Sequence, residues 1–209
     1  YTHTLFAYND ALLRQMGHTL ELGRSFVRLE YQRNFNSLHL LWKGIAQYAV
    51  RNPKYHGFFG TVSISSDYDV VSRYLMVSFL RENKYIPELG RLIRARNPMR
   101  TTSLRGVDAQ TASVVVKDIT DVSELIAEIE AKHKSIPILL RQYLKLDGKL
   151  LGFNIDRSFG DVLDGLIYID LRETDLRILE RYMGREGTEK FLRFHGRTER
   201  MQPTGTENA

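Results

Sequence analysis

The sequence predicts one mixed α/β domain, and four observations carry that prediction. Apolar or alternating runs of strand length occur at 1–8, 19–29, 57–65, 149–156 and 163–171. Amphipathic or helix-capped stretches lie between and after them, at 10–17, 38–51, 70–83, 121–134, 136–146, 174–184 and 187–195. Apart from the short helix at 10–17, the order is β-β-α-β-α followed by α-α-β-β-α-α, which argues helices packed on one sheet. Finally, 209 residues with 43% hydrophobic and 26% charged content suffice for one sizeable core and match an ordinary globular domain. The domain is expected over 1–195, with 196–209 as a disordered tail.

Each element has its own reason. "YTHTLFAY" (1–8) is aromatic and β-branched and alternates, so it reads as a strand. "DALLRQMG" makes a short helix closed by Gly17. Residues 19–29 form the next strand. Ser37 is a plausible N-cap for a helix over 38–51, where Leu38, Leu41, Trp42, Ile45 and Ala49 share one stripe. Asn52-Pro53 ends it.

"GFFGTVSIS" reads as a buried strand and "VVSRYLMVSFLREN" as an amphipathic helix. The pattern then breaks from Lys84 to Gln110, where Pro87, Pro98 and the arginines 91, 94, 96, 100 and 105 mark an excursion or lid. "DVSE" opens a helix at 121 with capping-box character, and Pro137 starts another in its first turn. "KLLGFNID" and "LDGLIYIDL" are the last strands, and two helices follow.

Several function classes fall away. Zero cysteines exclude disulfides, thiolate metal sites and a cysteine nucleophile, and fit a reducing compartment. The six histidines show no HxH or HxxxH spacing, so no metal site is expected. Walker A, GxGxxG and GxSxG motifs do not occur, and no apolar run approaches the roughly 18 residues of a membrane span. The chain opens on Tyr1, inside a strand-like pattern, so it is expected to be a fragment. A net charge of +5 favours acidic partners. No nucleic-acid motif accompanies that charge.

The chemically unusual stretch is "LELGRSFVRLEYQRNF" (20–35). In a flat strand Glu21, Gly23, Ser25 and Val27 share one face while Leu22, Arg24, Phe26 and Arg28 share the other. Glu21 and Arg24 then cannot pair, unless Gly23 forms a β-bulge that re-aims both side chains. A bulge frees backbone N–H groups, and such groups hold a developing oxyanion. An edge strand with separate salt bridges is the plainer explanation. Beyond it, the turn containing Gln32, Arg33 and Asn34 leads into a helix N-terminus, which attracts phosphate. Ser63 to Ser66 can hydrogen-bond a ligand at a strand end or simply cap it. Asp161 and Asp164 are better explained by turn chemistry.

Together, "LELGRSFVRLEYQ", "LLWKGIAQY", "FFGTVSIS", "IPILLRQYLKLDGKLLGFNID" and "LDGLIYIDL" resemble the bacterial hemolysin-like branch of the GNAT-like N-acyltransferases. That branch includes ornithine-lipid enzymes that acylate an amino acid from a 3-hydroxyacyl-acyl carrier protein, and it is related to the acyl-homoserine-lactone synthases. The resemblance covers about 1–195. It implies a mixed, mostly antiparallel GNAT-like sheet flanked by helices and lacking its N-terminal part. Residues 19–29 would correspond to the splayed strand that holds the thioester. The E-x-G-R pattern falls on Glu21, Gly23 and Arg24, with Ser25 adjacent, and the turn on Tyr31, Gln32 and Arg33. "QRNFNS" lacks the glycines of the CoA-binding turn, which agrees with a donor held by a carrier protein but does not exclude CoA.

What the resemblance implies is amide formation by attack of an α-amine on an acyl thioester. Glu21, Arg24 and Ser25 are the expected catalytic residues, with Glu21 taking or orienting the amine's proton and Arg24 fixing Glu21 or the acceptor's carboxylate. Phe26, Val27, Gln32, Arg33, Asn34 and Ser37 are the expected donor-binding residues, with the oxyanion at the Phe26 and Val27 amides. The acyl chain is expected between the strands at 19–29 and 57–65, near Trp42, Phe58 and Phe59. The arginines of 91–105 are the expected dock for an acidic carrier protein or anionic membrane. No bound cofactor is implied, only acyl carrier protein or acyl-CoA as donor and an amino acid as acceptor. The expected location is the cytoplasm, peripheral to the membrane's inner face. An acetyl-CoA-dependent acetyltransferase and a non-catalytic basic binding module are the alternatives.

Overall fold

The computed structural model describes residues 1–23, 25–32, 35–99, 119–130 and 134–197. The strands are β1 (Phe6–Tyr8), β2 (Thr19–Glu21), β3 (Gly57–Ile64), β4 (Ile93–Ala95), β5 (Lys149–Asp156) and β6 (Val162–Asp170). The helices are α1 (Thr2–Leu5), α2 (Asp10–Met16), α3 (Phe35–Arg51), α4 (Val70–Asn83), α5 (Pro87–Gly90), α6 (Ile119–Ile129), α7 (Ile138–Lys145), α8 (Leu176–Met183) and α9 (Arg185–Phe194). Among the described residues no helix is long and apolar enough to cross a membrane.

The central sheet runs β2-β3-β6-β5. β3, β6 and β5 form an antiparallel meander-like block, whereas β2 joins β3 in parallel. β1 and β4 make a separate antiparallel pair. This mixed, mostly antiparallel sheet with helices on its faces agrees with the GNAT-like class.

Alternation along the strands divides the core in two. Phe58, Val62 and Ile64 of β3, with Leu163, Ile167 and Ile169 of β6, face the larger cluster built on α3, α4 and α6 to α9. Phe59, Leu166 and Tyr168 point the other way, onto Leu5, Phe6, Leu12 and Met16. Leu151, opposite Leu150 by alternation, joins that second face, and the β5–β6 register slips between Leu150 and Gly152, which leaves Phe153 on the same face as Leu150. Burying each large side chain is worth about 1.5–3 kcal/mol, so these two clusters fix the sheet in the middle of the fold.

Local chemistry sets the helix starts. The side chains of Asn9, Asp69 and Asp175 accept from the N–H of Ala11, Val71 and Arg177, capping α2, α4 and α8. Gly184, at φ +76°, turns the chain from α8 straight into α9.

Four expectations need correction. The opening strand is shorter: Thr4 folds back through its N–H and hydroxyl onto the Tyr1 carbonyl, making α1 before β1. α3 begins at Phe35, so Ser37 lies inside the helix and is not its cap; its hydroxyl donates to the Tyr31 carbonyl at 3.0 Å. The proline- and arginine-rich excursion is partly regular, since Pro87 opens α5 and residues 93–95 pair with β1. The strand expected over 19–29 stops at Glu21. Residues 100–110 of the expected excursion, with Arg100 and Arg105, and the tail beyond Arg197 lie outside the described residues.

Candidate acyl-transfer site

The early end of β2 creates the site. Thr19, Leu20 and Glu21 register with Gly57, Phe58 and Phe59. The Leu22 N–H still reaches the Phe59 carbonyl at 2.7 Å, and there the pairing stops. With β2 ended before Gly23, no ladder remains for a bulge at Gly23 to interrupt, and the expected bulge is replaced by a divergence of two parallel strands. Gly23 and residues 25–28 lie outside the sheet. Among the described residues, the backbone N–H groups of Ser25, Phe26 and Val27 have no hydrogen-bond acceptor.

Glu21 closes the paired part. Its Oε1 accepts from the Thr2 N–H at 2.8 Å and lies 2.9 Å from the backbone nitrogen of Tyr1. Burial pushes its pKa up, and the hydrogen bond from the Thr2 N–H pulls it down. Such a group is ionised at neutral pH. Arg24, Arg33 and Asn34 lie outside the described residues.

The diverging segment walls a cavity of about 870 Å³. Ser25, Phe26, Val27, Gln32 and Ser37 all line it, so the structure brings together five of the expected site residues. Gln32 ties the segment into a closed loop by donating to the Val27 carbonyl at 2.9 Å. Leu38, Leu41 and Trp42 of α3 and Ile138 and Leu139 of α7 give the cavity an apolar lining, and Arg141, Lys145 and Arg181 a cationic rim. Among the described residues no carboxylate lines it. Arg141 is held in place by donating to the hydroxyls of Ser123 and Ser135 at 3.0 and 3.1 Å. This pairing of an apolar lining with cations suits a chain that carries an anionic group.

The residues expected along an acyl slot are divided between the sheet and this cavity. Phe58 and Phe59 belong to opposite faces of the sheet and line neither this cavity nor the next, whereas Trp42 does line it. The described arginines 91, 94 and 96 also line neither cavity, and Arg96 donates to the His3 carbonyl at 3.1 Å.

A second cavity, of about 440 Å³, occupies the gap where β2 leaves β3. Its walls include Tyr1, Leu22 and Gly23 on one side and Thr61 and Ser63 on the other. Burial holds the phenol of Tyr143, another wall residue, up at about 12, so it remains a neutral hydroxyl. Ser25 and Leu139 line both cavities, which therefore meet at Ser25.

Sequence reasoning overlooked the cations Arg141, Lys145 and Arg181. The i, i+4 spacing of the first two on an otherwise apolar helix is the signal that finds them. It also misjudged Asp164. Asp161 does occupy a turn, at φ +54°, but Asp164 stands inside β6, fully buried, opposite Ser63.

Two curated proteins are similar to the chain. The glycine N(alpha)-acyltransferase of Bacteroides thetaiotaomicron is 31% identical over 183 residues, covering 82% of this chain and 53% of that protein. The glycine N(alpha)-acyltransferase of Phocaeicola vulgatus is 29% identical over 183 residues, covering 82% of this chain and 55% of its own length. The chain thus spans about half the length of the curated relatives it matches. No family model and no solved structure matches it significantly. Over most of its own length, this chain is similar to N-acyltransferases.

Proposed function

We propose that the chain is an acyltransferase domain that moves a fatty acyl group from a thioester to the α-amine of an amino acid. The observation that carries this reading is the divergence of β2 from β3, which opens two cavities meeting at Ser25. In the proposal, the donor's acyl chain and pantetheine arm lie in the larger cavity, with a phosphate near Lys145 and Arg181. The carbonyl oxygen then accepts from the free amides at Phe26 and Val27, and the acceptor enters through the smaller cavity. Acyl carrier protein is the proposed donor partner, since exposed cations beside the mouth favour an acidic protein. Glycine is the first acceptor to try, given what the two relatives are named for. Exposed Phe26 and Leu29 suit a peripheral position on a membrane that takes up the acylated product.

The test is a product search by mass spectrometry with 3-hydroxyacyl-acyl carrier protein, acyl-CoA thioesters and a mixture of amino acids. A new N-acyl amino acid is the expected product. Glu21→Gln is expected to raise the KM for the amine and lower kcat/KM about 10- to 100-fold, the size of a charge-assisted hydrogen bond. A folded Glu21→Gln protein with full activity removes Glu21 from the site. Lys145→Glu combined with Arg181→Glu is expected to slow association with acyl carrier protein about tenfold at low salt and to flatten its salt dependence. Unchanged salt dependence moves the carrier's dock elsewhere.

A further inference from the structure

Asp164 is the most conspicuous polar group that the proposed site has not yet used. It lies in the middle of the sheet with no exposed surface. Its Oδ1 accepts from the Ser63 hydroxyl at 2.6 Å, while its Oδ2 has no partner among the described residues. On its other flank, register partner Asn154 is equally buried. The Asn154 Oδ1 accepts the Asn97 N–H at 2.7 Å, yet its Nδ2 also lacks a described partner. Burying a carboxylate with one oxygen unpaired is costly, and a sheet core gains nothing from it. Ser63, by contrast, is exposed and lines the smaller cavity. The hydrogen bond from Ser63 to the Asp164 carboxylate therefore leads straight to that cavity.

We infer that Ser63 and Asp164 form a proton relay that drains the acceptor amine in the smaller cavity; the inference rests on the N-acyl transfer reading. The acceptor's ammonium group passes one N–H proton to the Ser63 Oγ as the hydroxyl proton of Ser63 moves to Asp164 Oδ1. The freed lone pair forms the C–N bond at the thioester carbonyl, and the C–S bond breaks. The second N–H proton leaves with the thiolate as free thiol, and one N–H remains on the amide. Once the amide departs, Asp164 returns its proton through Ser63 to water. Ammonium and thioester thus give amide, thiol and one released proton.

The surroundings suit a base. Burial raises the pKa of Asp164, the Ser63 hydrogen bond opposes this, the charge of Asp156 adds to it, and the net direction is upward. Asp156, two residues beyond Asn154 on β5, accepts from the Tyr1 phenol and the Ser158 N–H, both at 2.9 Å. No ion pair to Asp164 occurs among the described residues. A carboxylate with a raised pKa is closer to an amine's own and takes its proton more readily. The relay works with Asp164 ionised, so the rate is present above the raised pKa and falls as pH drops through it.

The test is the pH profile of kcat/KM for wild type, Asp164→Asn, Ser63→Ala and Ser63→Thr. Asp164→Asn and Ser63→Ala are expected to lose about 100-fold and to abolish the acidic limb. Ser63→Thr, which keeps the hydroxyl, is expected to recover most of the rate, a rescue that a structural role does not give. Thermal unfolding checks each variant. Should Asp164→Asn fail to fold, the exposed Ser63 pair decides alone. A Ser63→Ala enzyme with wild-type kcat/KM and an intact acidic limb overturns the relay. A folded wild type that makes no N-acyl product from any thioester overturns the acyl-transfer reading, and the relay with it.

Discussion

Trp42→Ala is expected to lower the unfolding free energy by about 3–5 kcal/mol and, on the proposed acyl-transfer function, to lengthen the acyl chains accepted. Trp42 is 4% exposed and stands on α3 as a wall between the larger core and the larger cavity. Its ring meets Tyr143 edge-on, with centroids 5.2 Å apart at 86°, and lies 6.3 Å from the ring of Tyr182. The indole N–H has no described partner, so truncation forfeits packing and no hydrogen bond. Both neighbouring tyrosines sit on helices fixed by their own core contacts, and the space left by the indole therefore stays open toward the cavity. Trp42→Phe keeps an aromatic edge against Tyr143 and is expected to restore much of the loss, aromatic pairs being worth about 0.5–1.5 kcal/mol beyond area. Denaturant midpoints at constant slope measure the stability change. The chain-length distribution of the N-acyl products measures the second effect. A Trp42→Ala protein within about 1 kcal/mol of wild type shows that α3 has closed the gap, and then no change in chain length follows.

How much of this is legible in the sequence depends on the range of the interaction involved. The helix at Val70–Asn83 is readable to the residue because its period and its Asp69 cap are local. Pro137 likewise marks the start of α7. The stretch 19–29 misleads because alternation records which side chains share a face, not whether a partner strand lies alongside. Its ladder ends at Glu21, and the Leu22 carbonyl just beyond packs on Gly60, nearly forty residues on. Glu21, Ser25, Phe26, Val27 and Gln32 were findable because one segment carries them all. Asp164 was not, since its meaning comes from a register partner 101 residues away. The cations of the cavity rim come from α7 and α8 and converge only after the sheet has formed.

Gly60→Val is expected to close the site and to destabilise the fold together. A Cβ at Gly60 would stand 2.3 Å from the Leu22 carbonyl oxygen and 3.3 Å from its carbon. The obstacle is backbone, so no rotamer relieves it, and the backbone of Gly60 is not left-handed, so contact alone forbids the side chain. Either β2 retreats and the 2.7 Å bond from the Leu22 N–H to the Phe59 carbonyl breaks, or β3 shifts against Ile167, its partner in β6. Overpacking costs about 1–3 kcal/mol and the lost hydrogen bond about 1 more. Because Ser25 follows Leu22 by three residues and walls both cavities, product formation is expected to fall more than tenfold. Gly44 is the matched control: it lies on the exposed side of α3 with nothing within 4 Å of a new Cβ. Gly44→Ala is expected to stabilise the helix by about 0.5–1 kcal/mol and to leave activity alone. Hydrogen exchange at the Leu22 amide separates the two substitutions, fast in Gly60→Val and protected in Gly44→Ala. If Gly60→Val keeps wild-type protection at Leu22 and wild-type stability, β2 does not leave β3 where Gly60 admits it, and the two cavities lose their common origin.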